Sequence, residues 1–154
     1  MCIRDRMMAV LVGAQTGGQS FFVTYTNQAG TTGRISKTVT CNTATYNGAI
    51  VTTATATNGC VGPFIPLQDG DTGVRAIESV TMLGADVGQM TFVLVKTLQC
   101  FMLNEQTAPV EVNGIKDRPG MQQVYDGAYL GLLVLPSGSL SGVSLYGTLS
   151  TTWN

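Results

Sequence analysis

The sequence predicts an all-β domain, a two-sheet antiparallel β-sandwich of jelly-roll-like form with about eight strands. Three observations predict it. Short runs alternate apolar and polar residues with a period of two, most regularly over 143–153, where Val143, Leu145, Leu149 and Trp153 share one face. Clusters of Gly, Asn, Asp and Pro punctuate those runs. No stretch has the 3.6-residue apolar spacing of a long amphipathic helix.

Taken in order, the first element is an apolar stretch over 7–12, preceded by Met1-Cys2-Ile3-Arg4-Asp5-Arg6. Those six residues look like translated sequencing-adapter read-through. The expectation is a non-native leader over 1–6 and a single β-sandwich domain over 7–154. The 7–12 stretch is short for a signal peptide and soon turns polar. Candidate strands follow at 20–26, 34–46 and 49–57. The last carries Thr53, Thr55 and Thr57 on one face and Ala54 and Ala56 on the other. Thr favours strands but brings little apolar area, so this half reads as a solvated or partner-covered sheet. Asn47-Gly48 reads as a two-residue hairpin turn pairing Tyr46 with Ala49, which places Cys41 opposite Ala54.

Greasier strands occupy the second half. The segments 74–83 and 89–97 are joined by Gly84-Ala85-Asp86-Val87-Gly88, a connection of hairpin length and composition. Residues 90–95 are apolar on both faces apart from Thr91, the pattern of a central strand covered on both sides. A strand over 129–135 ends at Pro136-Ser137-Gly138, and 143–153 closes the series. Between 104 and 127 runs a long segment holding Glu105, Glu111, Lys116, Asp117, Arg118 and Asp126 beside Tyr125. Loops of this length contact a partner or cross between sheets. Glu105, Glu111, Lys116, Asp117, Arg118 and Tyr125 are the candidate interaction residues.

Composition narrows the function. The 154 residues include 44% hydrophobic residues, ample for one core, but only 11% charged residues, well under the usual quarter. Such a surface is either covered by other subunits or kept polar by Thr, Ser and Asn. Net charge is −1 and the eight basic residues are scattered, so no nucleic-acid surface is visible. No apolar run approaches the roughly 18 residues that span a bilayer.

The chain has no histidine. That removes the Ser-His-Asp triad, Cys-His dyads and His-ligated metals. Cys41, Cys60 and Cys100 lack C-x-x-C spacing, which argues against zinc, and no P-loop motif occurs. A Cys41–Cys60 disulfide conflicts with the hairpin, which separates the pair by roughly 20 Å, whereas a disulfide needs Cα atoms within about 7 Å. Buried, reduced cysteines are expected instead. Asp69-Gly70-Asp71-Thr72-Gly73 opens like a calcium loop, but position five is Gly73 and position twelve is Val80 where oxygen ligands belong, so a tight Asp-Gly turn explains it better. Nothing in the carboxylate spacing selects a glycosidase pair. Tyr46, Tyr125 and Tyr129 lie beside turns and are the residues a sugar would stack on; Trp153 reads as core. Neither catalytic residues, nor a cofactor, nor a metal, nor a small-molecule substrate is expected.

The segment from Gly73 to Asn154 resembles a group of tailed-phage virion structural proteins. The resemblance runs through Gly73-Val74-Arg75-Ala76-Ile77-Glu78-Ser79-Val80 and Leu94-Val95-Lys96-Thr97-Leu98, then Thr107-Ala108-Pro109-Val110-Glu111-Val112 and Arg118-Pro119-Gly120. It continues in Asp126-Gly127-Ala128-Tyr129-Leu130, Tyr146-Gly147-Thr148-Leu149 and Thr152-Trp153-Asn154, and covers about half of the chain. It implies a β-sandwich that works as part of a particle assembled in the host cytoplasm, binding copies of itself and other virion proteins and transforming no substrate. It carries over no catalytic residue.

Overall fold

A computed structural model describes residues 5–43, 45–51, 63–85, 87–102, 124, 126–134 and 144–149. The chain forms two compact units, Met1–Ala108 and Pro109–Asn154. The described residues contain no helix; all of their regular structure is antiparallel sheet and lies in the first unit.

Six strands are described: β1 (Arg6–Gly13), β2 (Ser20–Asn27), β3 (Arg34–Ile35), β4 (Val39–Thr40), β5 (Val74–Met82) and β6 (Gln89–Val95). One sheet pairs β1 with β6 from Arg6↔Val95 to Gly13↔Gln89, with an irregularity between Leu11 and Gly13. The segment 48–51 flanks the other side of β1 through Leu11 N–H to Ala49 O (2.8 Å) and Val51 N–H to Ala9 O (3.0 Å). The second sheet is built on β2, with β5 along one side and the short β3 and β4 along the other.

Alternation decides which face is buried. Met7, Ala9 and Leu11 of β1 and Phe21, Val23 and Tyr25 of β2 are all fully or almost fully buried, while the residues between them are not. Phe21 meets Phe92 of β6 edge to face at 5.7 Å between ring centroids, so the two sheets share one core. Val39, Cys41, Val51, Ile65 and Val74 complete it.

The structure corrects several expectations. The strands around 84–88 are present, but they do not form a hairpin: β5 pairs with β2 and β6 pairs with β1. The connection between Met82 and Gln89 therefore leads from one sheet to the other. The reason is that β1 and β2 each offer a full-length antiparallel ladder, which takes the two strands into different sheets. A six-residue connection is long enough to cross the roughly 10 Å between stacked sheets. Consequently β6 is an edge strand among the described residues, not a central one, and Thr91 and Leu94 are exposed.

The expected strand over 34–46 resolves into β3 and β4. The Asn47-Gly48 turn forms, with Ala49 N–H donating to Tyr46 O at 3.1 Å and Gly48 at φ +88°. Its register differs from the expected one, because Asn42 N–H bonds Val51 O rather than lying opposite Thr53. Asn47 keeps a negative φ, so this is not the mirror-image turn that matches strand twist. Residues 52–57 of the Thr face lie outside the described residues, as do Cys60 and Ala54. Cys41 is buried, as expected, but Cys100 is exposed.

In the second unit, residues 129–134 and 144–149 belong to no strand, against the expectation of two. Their side chains are exposed, including Leu132, Leu145 and Leu149. Alternation supplies a face, but a strand also requires a partner ladder, and no described segment provides one.

Candidate functional site

The most developed polar cluster among the described residues is centred on Asp71. It begins on the inner face of β2, where the apolar order Phe21, Val23 gives way to Tyr25 and Asn27. Polar groups on a buried face require partners. Gln68-Asp69-Gly70-Asp71 delivers one: Asp71 N–H closes a turn on Gln68 O at 3.0 Å, with Gly70 at φ +90°, the left-handed third position of a type II turn.

The turn points the Asp71 carboxylate inward, where its side chain is 3% exposed. Its Oδ2 accepts from Tyr25 Oη at 2.6 Å and from Arg34 Nε at 2.9 Å, and its Oδ1 accepts from Asn27 Nδ2 at 2.8 Å. Tyr25 Oη in turn accepts from Gln68 N–H at 2.9 Å. Asn27 Oδ1 receives Ala29 N–H (3.1 Å) and Thr31 N–H (2.9 Å), which shapes the turn after β2. Outside the cluster, Lys37 Nζ lies 3.0 Å from Asp69 Oδ1, an exposed pair of small energetic weight.

Electrostatics follow from this geometry. Burial alone would raise the pKa of Asp71, but hydrogen bonds from Arg34, Tyr25 and Asn27 outweigh it and hold the carboxyl below its ordinary value. Burial, reinforced by the bond to Asp71, pushes the Tyr25 phenol up to about 12. The hydrogen bond to Asp71 raises Arg34 further. Every group is thus fixed in one protonation state near neutrality. A general acid or base has to exchange a proton near the working pH, and none of these is poised to do so. The arrangement is a latch that ties loop 65–73 to β2 and β3. The Asp-Gly turn expected within 69–73 is present.

Most of the sequence-predicted site residues fall outside the described part of the chain. Glu105, Glu111, Lys116, Asp117, Arg118 and Tyr125 lie outside the described residues, and so does Trp153. Tyr46 is 82% exposed at the tip of the 47–48 turn in the first unit, and Tyr129 is 96% exposed in the second. Among the described residues, no group of three or more His, Cys, Asp or Glu could hold a metal ion, and no helix is long and apolar enough to cross a membrane. Sequence reasoning missed the Asp71 latch. The available signal was Tyr25 and Asn27 continuing the buried face of a strand whose other inward residues are apolar.

Compared with protein-family models, with curated proteins and with solved structures, the chain matches none.

Proposed function

We propose that the chain is a structural component of a phage virion, a capsid decoration, minor capsid or head-tail protein, that acts by binding copies of itself and neighbouring virion proteins. The observation that carries this reading is the ordered series of short matches from Gly73 to Asn154 described above. Two features of the chain support it. Charge is sparse, and the most developed polar cluster among the described residues is held in fixed protonation states rather than poised for chemistry. In this reading the two sheets belong to a jelly-roll-like sandwich, and the 104–128 segment contacts a partner. The test is the gene neighbourhood. Capsid, portal or terminase genes beside this one support the proposal; a neighbourhood of metabolic or regulatory genes alone counts against it.

The exposure of Tyr46 and Tyr129 favours a second reading, a receptor- or carbohydrate-binding module of the same particle. Binding on a glycan array that is lost in Tyr46→Ala or Tyr129→Ala supports this reading, and an array without hits removes it.

A further inference from the structure

Among the described residues, β5 and β6 are edge strands that differ in how they are protected. Along β5 the register with β2 slips twice, between Thr24 and Tyr25 and between Thr26 and Asn27. The residues skipped are Glu78 and Arg75, both exposed. Bulges and charges of this kind keep an edge from pairing with another chain. The other edge has neither. β6 reads Gln89-Met90-Thr91-Phe92-Val93-Leu94-Val95, with no charge and no proline, and its register with β1 is unbroken from Met90 to Val95.

The hydrogen-bond phase of β1 shows which groups β6 presents. The carbonyls of Asp5, Met7, Ala9 and Leu11 accept from Val74, Ile65, Val51 and Gly48, on the side of β1 away from β6. Arg6, Met8 and Val10 therefore bond Val95, Val93 and Thr91, their partners in the ladder. The N–H and C=O groups of Met90, Phe92 and Leu94 point outward, and no described strand pairs with them. Leu94 beside them is 39% exposed.

We propose that β6 pairs antiparallel with β6 of a second copy across a two-fold axis, joining the two β1–β6 sheets into one. Self-pairing fits the charge pattern. A register centred on Phe92 sets Met90 opposite Leu94 and Thr91 opposite Val93, so uncharged residues meet throughout. The nearest charge, Lys96, falls at opposite ends of the two strands, about 27 Å apart at about 3.4 Å per residue. An isologous contact of this kind closes at two copies. The inference goes beyond the virion reading and stands or falls separately from it.

Sedimentation velocity on the full chain, from about 1 μM to about 300 μM, tests it. The expected result is a shift from 16.2 kDa toward twice that mass. Leu94→Pro removes an outward N–H without touching the β1 ladder, and Thr91→Lys keeps every backbone donor but places a charge on the edge. Each variant is expected to weaken dimerisation at least about 10-fold, with the far-UV circular dichroism of the wild type retained. Should Leu94→Pro fail to fold, Thr91→Lys decides, together with amide exchange at Met90, Phe92 and Leu94, which is expected to slow as concentration rises. A wild type that stays monomeric throughout, a folded Thr91→Lys that dimerises as the wild type does, or a dimer in which those three amides gain no protection would each overturn the inference.

Discussion

Replacing Asp71 by Asn perturbs the latch with almost no change of volume. The carboxylate accepts three hydrogen bonds, from Tyr25, Arg34 and Asn27, at 2.6 to 2.9 Å. An amide has one oxygen and one NH2. If its oxygen faces Tyr25 and Arg34, two charge-assisted bonds become neutral acceptor bonds, each weaker by about 1 kcal/mol. Its NH2 then meets the NH2 of Asn27, and a buried donor left without an acceptor costs about 1–3 kcal/mol. Arg34 is partly solvated, which reduces the ionic share. The sum is about 3 kcal/mol, or roughly 6–12 °C in Tm for a domain of this size. The measurement is thermal unfolding by circular dichroism at pH 7 and at steps below pH 5. Because Asp71 has its pKa lowered on folding, its contribution is present above the unfolded carboxyl value near ~3.9 and is lost as pH falls through the folded value. The gap between wild type and variant should therefore narrow in acid. A variant within about 2 °C of the wild type at pH 7, or a gap that stays constant in acid, would refute the reasoning.

Further predictions follow from the same geometry. Tyr25 titrates at about 12 in the folded protein against ~10 when unfolded. The unfolded chain thus loses this proton first and stability falls as pH rises between those values; in an alkaline absorbance titration Tyr25→Phe is expected to remove a component that ionises near 12. Gly17→Ala places a Cβ 2.5 Å from Thr43 N at φ +78°, whereas Gly18→Ala at φ +86° meets open space. Both should destabilise, Gly18→Ala by about 1 kcal/mol and Gly17→Ala by clearly more, as read in denaturant midpoints. Phe21→Ala removes the ring that spans the two sheets and should cost about 3–5 kcal/mol, with the denaturant slope unchanged. In the native protein Cys100 should react with a thiol reagent while Cys41 stays protected until unfolding, which peptide mass mapping resolves.

The sequence makes individual strands easier to read than their partners. The reading of 20–26 matches β2 because its alternation is regular and Asn27 ends it in a turn. β5 and β6 are likewise visible as extended runs. Their assignment to different sheets was not legible, since a short Gly-rich connection fits a hairpin and an arch equally well. The strand β1 was overlooked because Met7-Met8-Ala9-Val10-Leu11-Val12 is apolar at every position and shows no period, yet burial alternates along it once paired. Over 144–149 the reverse holds, with clear alternation and no ladder. The Asp71 latch joins positions as far as 46 residues apart, and no local pattern encodes that meeting.

The central claim, that this chain works by binding within a particle, is tested most directly by co-assembly. The protein is to be produced with any capsid and tail proteins that the neighbouring genes prove to encode, and the particles purified on a density gradient and analysed by mass spectrometry. The chain is expected in the particle fraction at a fixed ratio to the major capsid protein. Its recovery only at the top of the gradient, away from assembled particles, would contradict it.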